Sequence, residues 1–382
     1  MTDLANPAPE IAAGEGAAGR SLWAVAMMRL RRNRAAMASL VVLVFMALAG
    51  IFGPWLAPHD YAEVYPEFVK VPPSFAPYPQ EDQVVPAAEE ALARARVEIA
   101  SVEVGGGQVT IDVTSPRREI DPRITRYLDR SDVFSGTEMV RIAEDGLSAT
   151  MRADVAQLYF IAGTDANGRD LLSRILISLR ISLMVGALAT GVALLIGVLY
   201  GATAGFVGGR IDNVMMRLVD ILYSLPFVFF VILLVVFFGR NVVLMFVAIG
   251  AVEWLDMARI VRGQTLSLRR REFVQAAESL GVRSRDIVRR HIIPNTLGTV
   301  IIYMTLMIPK VILLESFLSF LGLGVQEPLT SLGVLIAEGA KNMRNAPFML
   351  FWPAATMTVL LFALNFLGDG LRDLLDPRSS RS

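Results

Sequence analysis

The chain is built of long apolar runs separated by polar segments of very unequal length. The runs cover Ala35–Leu56, about Ile181–Phe206, Val214–Phe238, Val242–Ala258, Thr296–Leu321 and Pro347–Leu367. Each is close to the roughly 20 residues a helix needs to cross the hydrocarbon of a bilayer, so the pattern predicts six transmembrane helices. In lipid the backbone must satisfy its own hydrogen bonds, and the fold class expected is an all-α integral membrane protein. Counted from Leu171, the second run would make a helix of more than about 50 Å at 1.5 Å per residue. Its first turns are therefore expected to lie along the outer surface, with the span itself beginning near Ile181.

The polar segments differ in charge. Residues 1–34 form an N-terminal tail that starts Ala-, Gly-, Pro- and Glu-rich, a composition that stays disordered, and that lacks the basic start and apolar run of a cleavable leader. Arg29, Arg31, Arg32 and Arg34 precede the first span, residues 35–56. Segment 262–295 carries Arg262, Arg269, Arg270, Arg271, Arg283, Arg285, Arg289 and Arg290. The positive-inside rule places both segments in the cytoplasm, and six spans put both termini there. Residues 57–165 are different, with more acidic than basic groups and prolines clustered between Pro66 and Pro86. They are expected to form a small α+β extracytoplasmic insert between helices 1 and 2. Pro86–Ala100 reads as an amphipathic helix, and Ser101–Val113 as a hairpin around a glycine turn. Its role stays open between contact with a soluble partner, a cap over the entrance, and a solvated domain without a transport role. The remaining five spans occupy 166–378.

Several positions inside the spans are informative. Ala189, Ala193, Gly197, Gly201 and Gly205 recur every four residues, a small-residue seam that lets another helix come close, within the chain or from a partner. Asp220 is expected to pair with Arg217 one turn away. Lys310, Glu315 and the adjacent Ser316 lie within the fifth span. Ionisable groups at membrane depth are costly and usually face a cavity or a partner, so these three are candidates for a translocation path. For Glu315, a structural pairing with a neighbouring helix is an equal alternative.

The basic segment has its own pattern. Glu272–Leu280 reads as a helix with Phe273, Ala276, Ala277 and Leu280 on one side. Gly281 suits its C-terminus, Ser284 an N-cap for a second helix, and Pro294 its end or the start of the next span. Small residues at the centre allow a partner surface to approach. Gln275-Ala276-Ala277, Gly281 and His291-Ile-Ile-Pro294 resemble the EAA loop of ABC importer permeases, E-A-A-x3-G-x9-I-x-L-P, most closely in the dipeptide/oligopeptide branch. The departures are Gln275, where the motif has Glu, and His291, where it has Ile. Gly163–Arg174 is similar to the G-T-D-x-x-G-R-D-x-L-S-R stretch of the C-type subunits. Leu313–Val325 and Gly368–Arg378 resemble the L-L-E-x-x-L-S-F-L-G-L-G-V and G-D-G-L-R-D-x-L-D-P-R segments of the same group. The likeness covers roughly 20–60 and 160–380, and the family usually has a much shorter loop where the insert lies.

That resemblance implies the type I ABC importer permease (MetI-like) fold and a multi-pass subunit of the bacterial inner membrane. It further implies uptake of di- and oligopeptides, with this chain forming half of the pathway. Glu272, Gln275, Ala276, Ala277, Gly281, His291 and Pro294 would couple it to ATPase subunits. The implied partners are a second, B-type permease, two ATPases of the D and F types and an extracytoplasmic binding protein. A re-entrant or surface helix near Ser331–Ala340, within loop 326–345, would face the last of these.

Composition agrees with a membrane chain: 54% hydrophobic and 19% charged, with mean hydropathy +0.52. The only lysines are Lys70, Lys310 and Lys341, and none sits in a phosphate-binding G-x-x-x-x-G-K-[ST] loop. ATP and Mg are therefore expected in the partner subunits. The two histidines, His59 and His291, cannot form an H-E-x-x-H zinc site, cysteine is absent, and there is no G-x-S-x-G elbow. The expectation is no enzyme, no cofactor or metal in this chain, and no nucleic-acid partner. The competing reading is an ion-coupled secondary transporter using Lys310 and Glu315, or a membrane sensor. The first would show an internal repeat and the second a cytoplasmic signalling domain, and neither is evident.

Overall fold

The computed structural model describes residues 33–239 and 242–375. The expected disorder and basic flank before Asn33, the outer turn at Arg240–Asn241 and the tail beyond Leu375 lie outside these residues. The helices that carry the apolar runs are α1 (Arg34–Leu56), α4 (Leu171–Val207), α5 (Gly209–Ser224), α6 (Phe227–Phe238), α7 (Val242–Arg269), α10 (Ile293–Phe320) and α12 (Phe348–Leu375). The basic segment holds α8 (Glu272–Ser279) and α9 (Ser284–Ile287), and α11 (Leu332–Asn342) precedes α12. Among the described residues four helical runs are long and apolar enough to cross a membrane: Arg34–Leu56, Leu171–Val207, Ser284–Phe320 and Phe348–Asp373. A bent pair, Gly209–Ser224 with Val228–Leu234, brings the number to five.

Three expectations about these elements need correction. The second run is one uninterrupted helix rather than a surface turn followed by a span. Its first turns bury Leu171, Ser173, Arg174 and Ile175, with Leu171 and Ile175 packed against Leu335 of α11, so protein rather than solvent covers them. The third run is broken: α5 and α6 meet at 86°. Leu225, between them, has extended backbone, the conformation a residue before proline is pushed towards, and Pro226 follows it. The fourth run does not end at Ala258 but stays helical to Arg269. Its Glu253, Asp256, Arg259 and Arg262 give it a polar face, which is why composition alone does not mark it as a span.

The seam on α4 faces α7, the most extensive helix pair in the chain. A Cβ added at Gly197 would lie 2.6 Å from Met257 Cβ, one at Gly201 2.3 Å from Ala258 O, and one at Gly205 2.8 Å from Arg262 O. Ala189 and Ala193 are fully buried on the same face. The open alternative between an internal seam and a partner-facing one is therefore resolved inside the chain. α1 lies on the other side, where Gly50 meets the backbone of Arg180 and Ala36 meets Gly370 of α12.

Between α1 and α4 the chain forms the α+β unit. Helix α2 (Glu81–Leu92) and the short α3 (Thr125–Leu128) accompany an antiparallel sheet of β1 (Glu98–Gly105), β2 (Gln108–Thr114), β3 (Phe134–Ile142) and β4 (Ser148–Val155), in the order β1-β2-β4-β3. The hairpin appears where the glycines predicted it, with Gly105 opposite Gln108. The helix is shifted: it begins at Glu81, before the expected Pro86, and ends at Leu92 rather than Ala100, because Glu98 onward pairs with β2. Alternate residues Val109, Ile111 and Val113 of β2 are fully buried, as period-two patterning requires. They join Val84, Ala88 and Leu92 of α2 in one core.

Candidate functional site

The basic segment begins inside α7. Arg262, its first residue, holds Asp212 of α5 with both carboxylate oxygens, at 2.5 and 2.6 Å. The geometry is a two-point guanidinium–carboxylate clamp that ties the start of the segment to the turn after α4. Helix α8 then ends at Gly281, φ +76°. Val282 N donates to Ala277 O and Gly281 N to Glu278 O, which is the hydrogen-bond pattern of a helix stopped by a left-handed residue. A side chain at Gly281 would meet nothing within 4 Å, so the glycine is there for its backbone.

The faces of this knob differ from the sequence expectation. Val274 and Ala277 point inward, Ala277 being 7% exposed, and pack with Ile287 and Ile292. The outward face carries Phe273, Ala276 and Leu280, the last 83% exposed, beside the exposed Glu272 and Gln275. So the alanine pair is split, one residue anchoring the knob and the other presented. Ser284 is not an N-cap: it is the first helical residue, with Arg283 in the cap position. A π-helical turn over Val288–Ile292 carries the chain into α10 without a break, and Pro294 sits where the π-helical turn gives way to α10. His291 packs its ring near Phe273, centroids 6.3 Å apart.

Farther along α7 and α10 lies a cluster of charge. Lys310 Nζ is 2.9 Å from Glu253 Oε2 and 3.0 Å from Asp256 Oδ2. Beside it Asp220 is paired not with Arg217, as the spacing suggested, but with Arg259 of α7 at 2.8 Å, and the Arg259 guanidinium lies 4.3 Å from the Tyr223 ring centroid. Glu253, Asp256 and Lys310 line a cavity of about 270 Å³ with Leu222, Tyr223, Leu225, Phe230 and Leu314. Glu253 and Asp256 were missed in the sequence, although two acids one helical turn apart inside an apolar run are themselves a signal.

Glu315 is elsewhere. It is fully buried and accepts hydrogen bonds from Ser319 Oγ at 2.7 Å and Ser331 Oγ at 2.6 Å. Ser331 also receives Val334 N, capping α11. Ser316 Oγ donates to Ile312 O at 2.9 Å, and its Cα would be 2.4 Å from a Cβ on Gly333. In this structure Glu315 and Ser316 fasten α11 to α10, and neither lines the cavity that Lys310 reaches.

The Gly163–Arg174 stretch gathers four parts of the chain. Arg174 is fully buried and paired with Asp165 and, at 2.9 Å, with Glu338 of α11. Arg169 bridges Asp165 at 2.8 Å and Glu327 at 2.9 Å. Burial works against its charge, but hydrogen bonds from the guanidinium to Glu327 and Asp165 outweigh that and raise its pKa. The insert docks on the same loop: Tyr65 N donates to Gly168 O and Lys70 N to Asp165 O. Gly168 at φ +82° could not carry a Cβ, which would fall 2.1 Å from Tyr65 O. Arg169 and Arg174 are thus neutralised by acids of the same chain.

Residues 193–381 match the family model of the binding-protein-dependent transport system inner membrane component. Residues 21–92 match the N-terminal TM domain of oligopeptide transport permease C. The oligopeptide transport system permease protein OppC of Escherichia coli K12 is 45% identical over 94% of this chain and 92% of its own length. That of Haemophilus influenzae is 42% identical over 94% and 90%. The dipeptide transport system permease protein DppC of Bacillus subtilis is 46% identical, over 57% of this chain and 69% of its own. A chain of the MetNI methionine ABC transporter in an inward-facing form superposes with a TM-score of 0.46 at 16% identity, over 53% of this chain and 96% of that one. The two family models leave residues 93–192 unmatched, a stretch that holds most of the insert. On this identity, and with the GTDANGRDLLSR loop and the EAA-like elbow both in place, the chain belongs to the family of binding-protein-dependent transport system inner membrane components, in its oligopeptide permease C branch.

Proposed function

We propose that the chain is the C-type transmembrane subunit of an ATP-driven importer of di- and oligopeptides. The observation that carries this reading is the knob Glu272–Pro294. It presents Phe273, Ala276 and Leu280 outward, while Val274, Ala277, Ile287 and Ile292 bind it to the membrane helices. An exposed apolar patch rimmed by charge marks a contact surface, and this one is continuous with α7 on one side and α10 on the other. An ATPase subunit seated there would move both helices together. The names of the relatives point to oligopeptides and dipeptides as cargo.

The full reading has six spans, counting α7 because its polar face is occupied by Asp212, Asp220 and Lys310, with both termini in the cytoplasm of a bacterial inner-membrane protein and the insert outside. A B-type permease, D- and F-type ATPases that bind ATP and Mg, and an extracytoplasmic binding protein complete the assembly. Lys310 lies on the translocation path. Alternating access follows if nucleotide binds one state of the ATPases better than the other. The test is ATP-dependent uptake of a labelled tripeptide by the reconstituted complex. Leu280→Asp and Ala276→Arg, both on the outward face, are expected to lower uptake at least tenfold with the chain still folded in the membrane. Uptake at the wild-type rate in both variants, or transport without any ATPase, would overturn the coupling role.

A further inference from the structure

The charged cavity between α5, α6, α7 and α10 does not balance. Three carboxylates face it or its rim, Asp220, Glu253 and Asp256, against two cations, Lys310 and Arg259. Arg259 is committed to Asp220 and stacked on Tyr223. Lys310 is left alone with two acids. Glu253 is 4% exposed, and its Oε2 lies 2.9 Å from the ammonium. A surplus negative charge walled by Leu222, Leu225, Phe230 and Leu314 is costly unless a further cation can be admitted. Lys310 is half exposed and Asp256 a third exposed, so the pair can open without rearranging the helices.

We infer that Glu253, Asp256 and Lys310 form a station that receives the free α-ammonium of a peptide in transit, which replaces Lys310 at Asp256. This rests on the peptide-permease reading above. The α-ammonium is the one cation that every peptide with a free N-terminus carries whatever its sequence, so a single acidic station serves a mixed cargo. The cavity, about 270 Å³, is just below the roughly 300 Å³ at which pockets begin to enclose a whole drug-sized ligand. It takes the end of a peptide and leaves the rest in the wider pathway.

The test uses the assembled complex without its binding protein and compares trialanine with N-acetyl-trialanine by saturation-transfer NMR. Trialanine is expected to bind at least tenfold more tightly to the wild type. Asp256→Asn removes that difference, whereas Lys310→Met, which deletes the internal competitor, preserves or enlarges it. Equal binding of the two peptides by the wild type, no binding of either, or a difference that survives Asp256→Asn would overturn the inference. ATP-driven peptide uptake by the same wild-type preparation, with binding protein restored, separates the two claims. Uptake without the N-terminal preference sinks only the station, and no peptide uptake sinks the permease reading beneath it.

Discussion

Gly191 and Gly201 are both glycines of α4, and the surrounding chain treats them oppositely. A Cβ at Gly191 would have nothing within 4 Å, while one at Gly201 would strike the backbone of α7. Gly201→Ala is therefore expected to push α4 and α7 apart and cost about 1–3 kcal/mol, the usual toll of overpacking. Gly191→Ala should be neutral or slightly stabilising, since alanine is the better helix former by about 1 kcal/mol. Thermal unfolding of the two variants in detergent would check this, and equal melting temperatures would refute the seam. The every-fourth-residue stripe was legible in the sequence because it is periodic. The partners of Lys310 were not: Asp256 lies 54 positions away, and no local period encodes which face of one helix meets another.

Among the elements, the knob shows how near to correct a pattern can be while still facing the wrong way. Helical spacing grouped Ala276 and Ala277 on one side, yet the helix turns Ala277 into the core with Val274 and leaves Ala276 out. Hydrophobicity gave no preference, because Phe273 and Leu280 are apolar but exposed. Apolar residues left at the surface read like core in the isolated sequence. The glycine stop was legible, since a left-handed residue has few alternatives. Gly281→Ala should destabilise the knob by about 1–2 kcal/mol through its backbone alone, as no side chain contests the space. Hydrogen exchange in α8 and α9 should rise in that variant and stay unchanged in α4. The break between α5 and α6 falls at Pro226, inside a run whose hydrophobicity alone gives a single span.

At the scale of the molecule, the apolar runs announced the membrane core, while the α+β insert was read only in outline. Its stability should depend on pH through Glu67 and Asp132. Burial pushes both carboxyls above the ordinary range, with Ser131 partly offsetting it at Glu67 through a 2.6 Å hydrogen bond. An acid with a raised folded pKa binds more protons folded than unfolded, so stability falls as pH rises from the unfolded value of about 4 through the raised one. Amide exchange in β3, corrected for its intrinsic rate, should therefore be slower at about pH 5 than at about pH 7.5. Glu67→Gln combined with Asp132→Asn should abolish the difference, and its persistence would assign the effect to other groups.

The enclosed guanidinium of Arg174 also bears on how the α+β unit can move. Asp165 and Glu338 grip it from two sides, and the loop bearing Asp165 is hydrogen-bonded to the segment leading into the sheet. A force on that unit would therefore load α4 and α11 at once, because both helices share the Arg174 guanidinium. Displacement of the unit is thereby geared to the long axis of α4, whose far end meets the turn where Arg262 holds Asp212.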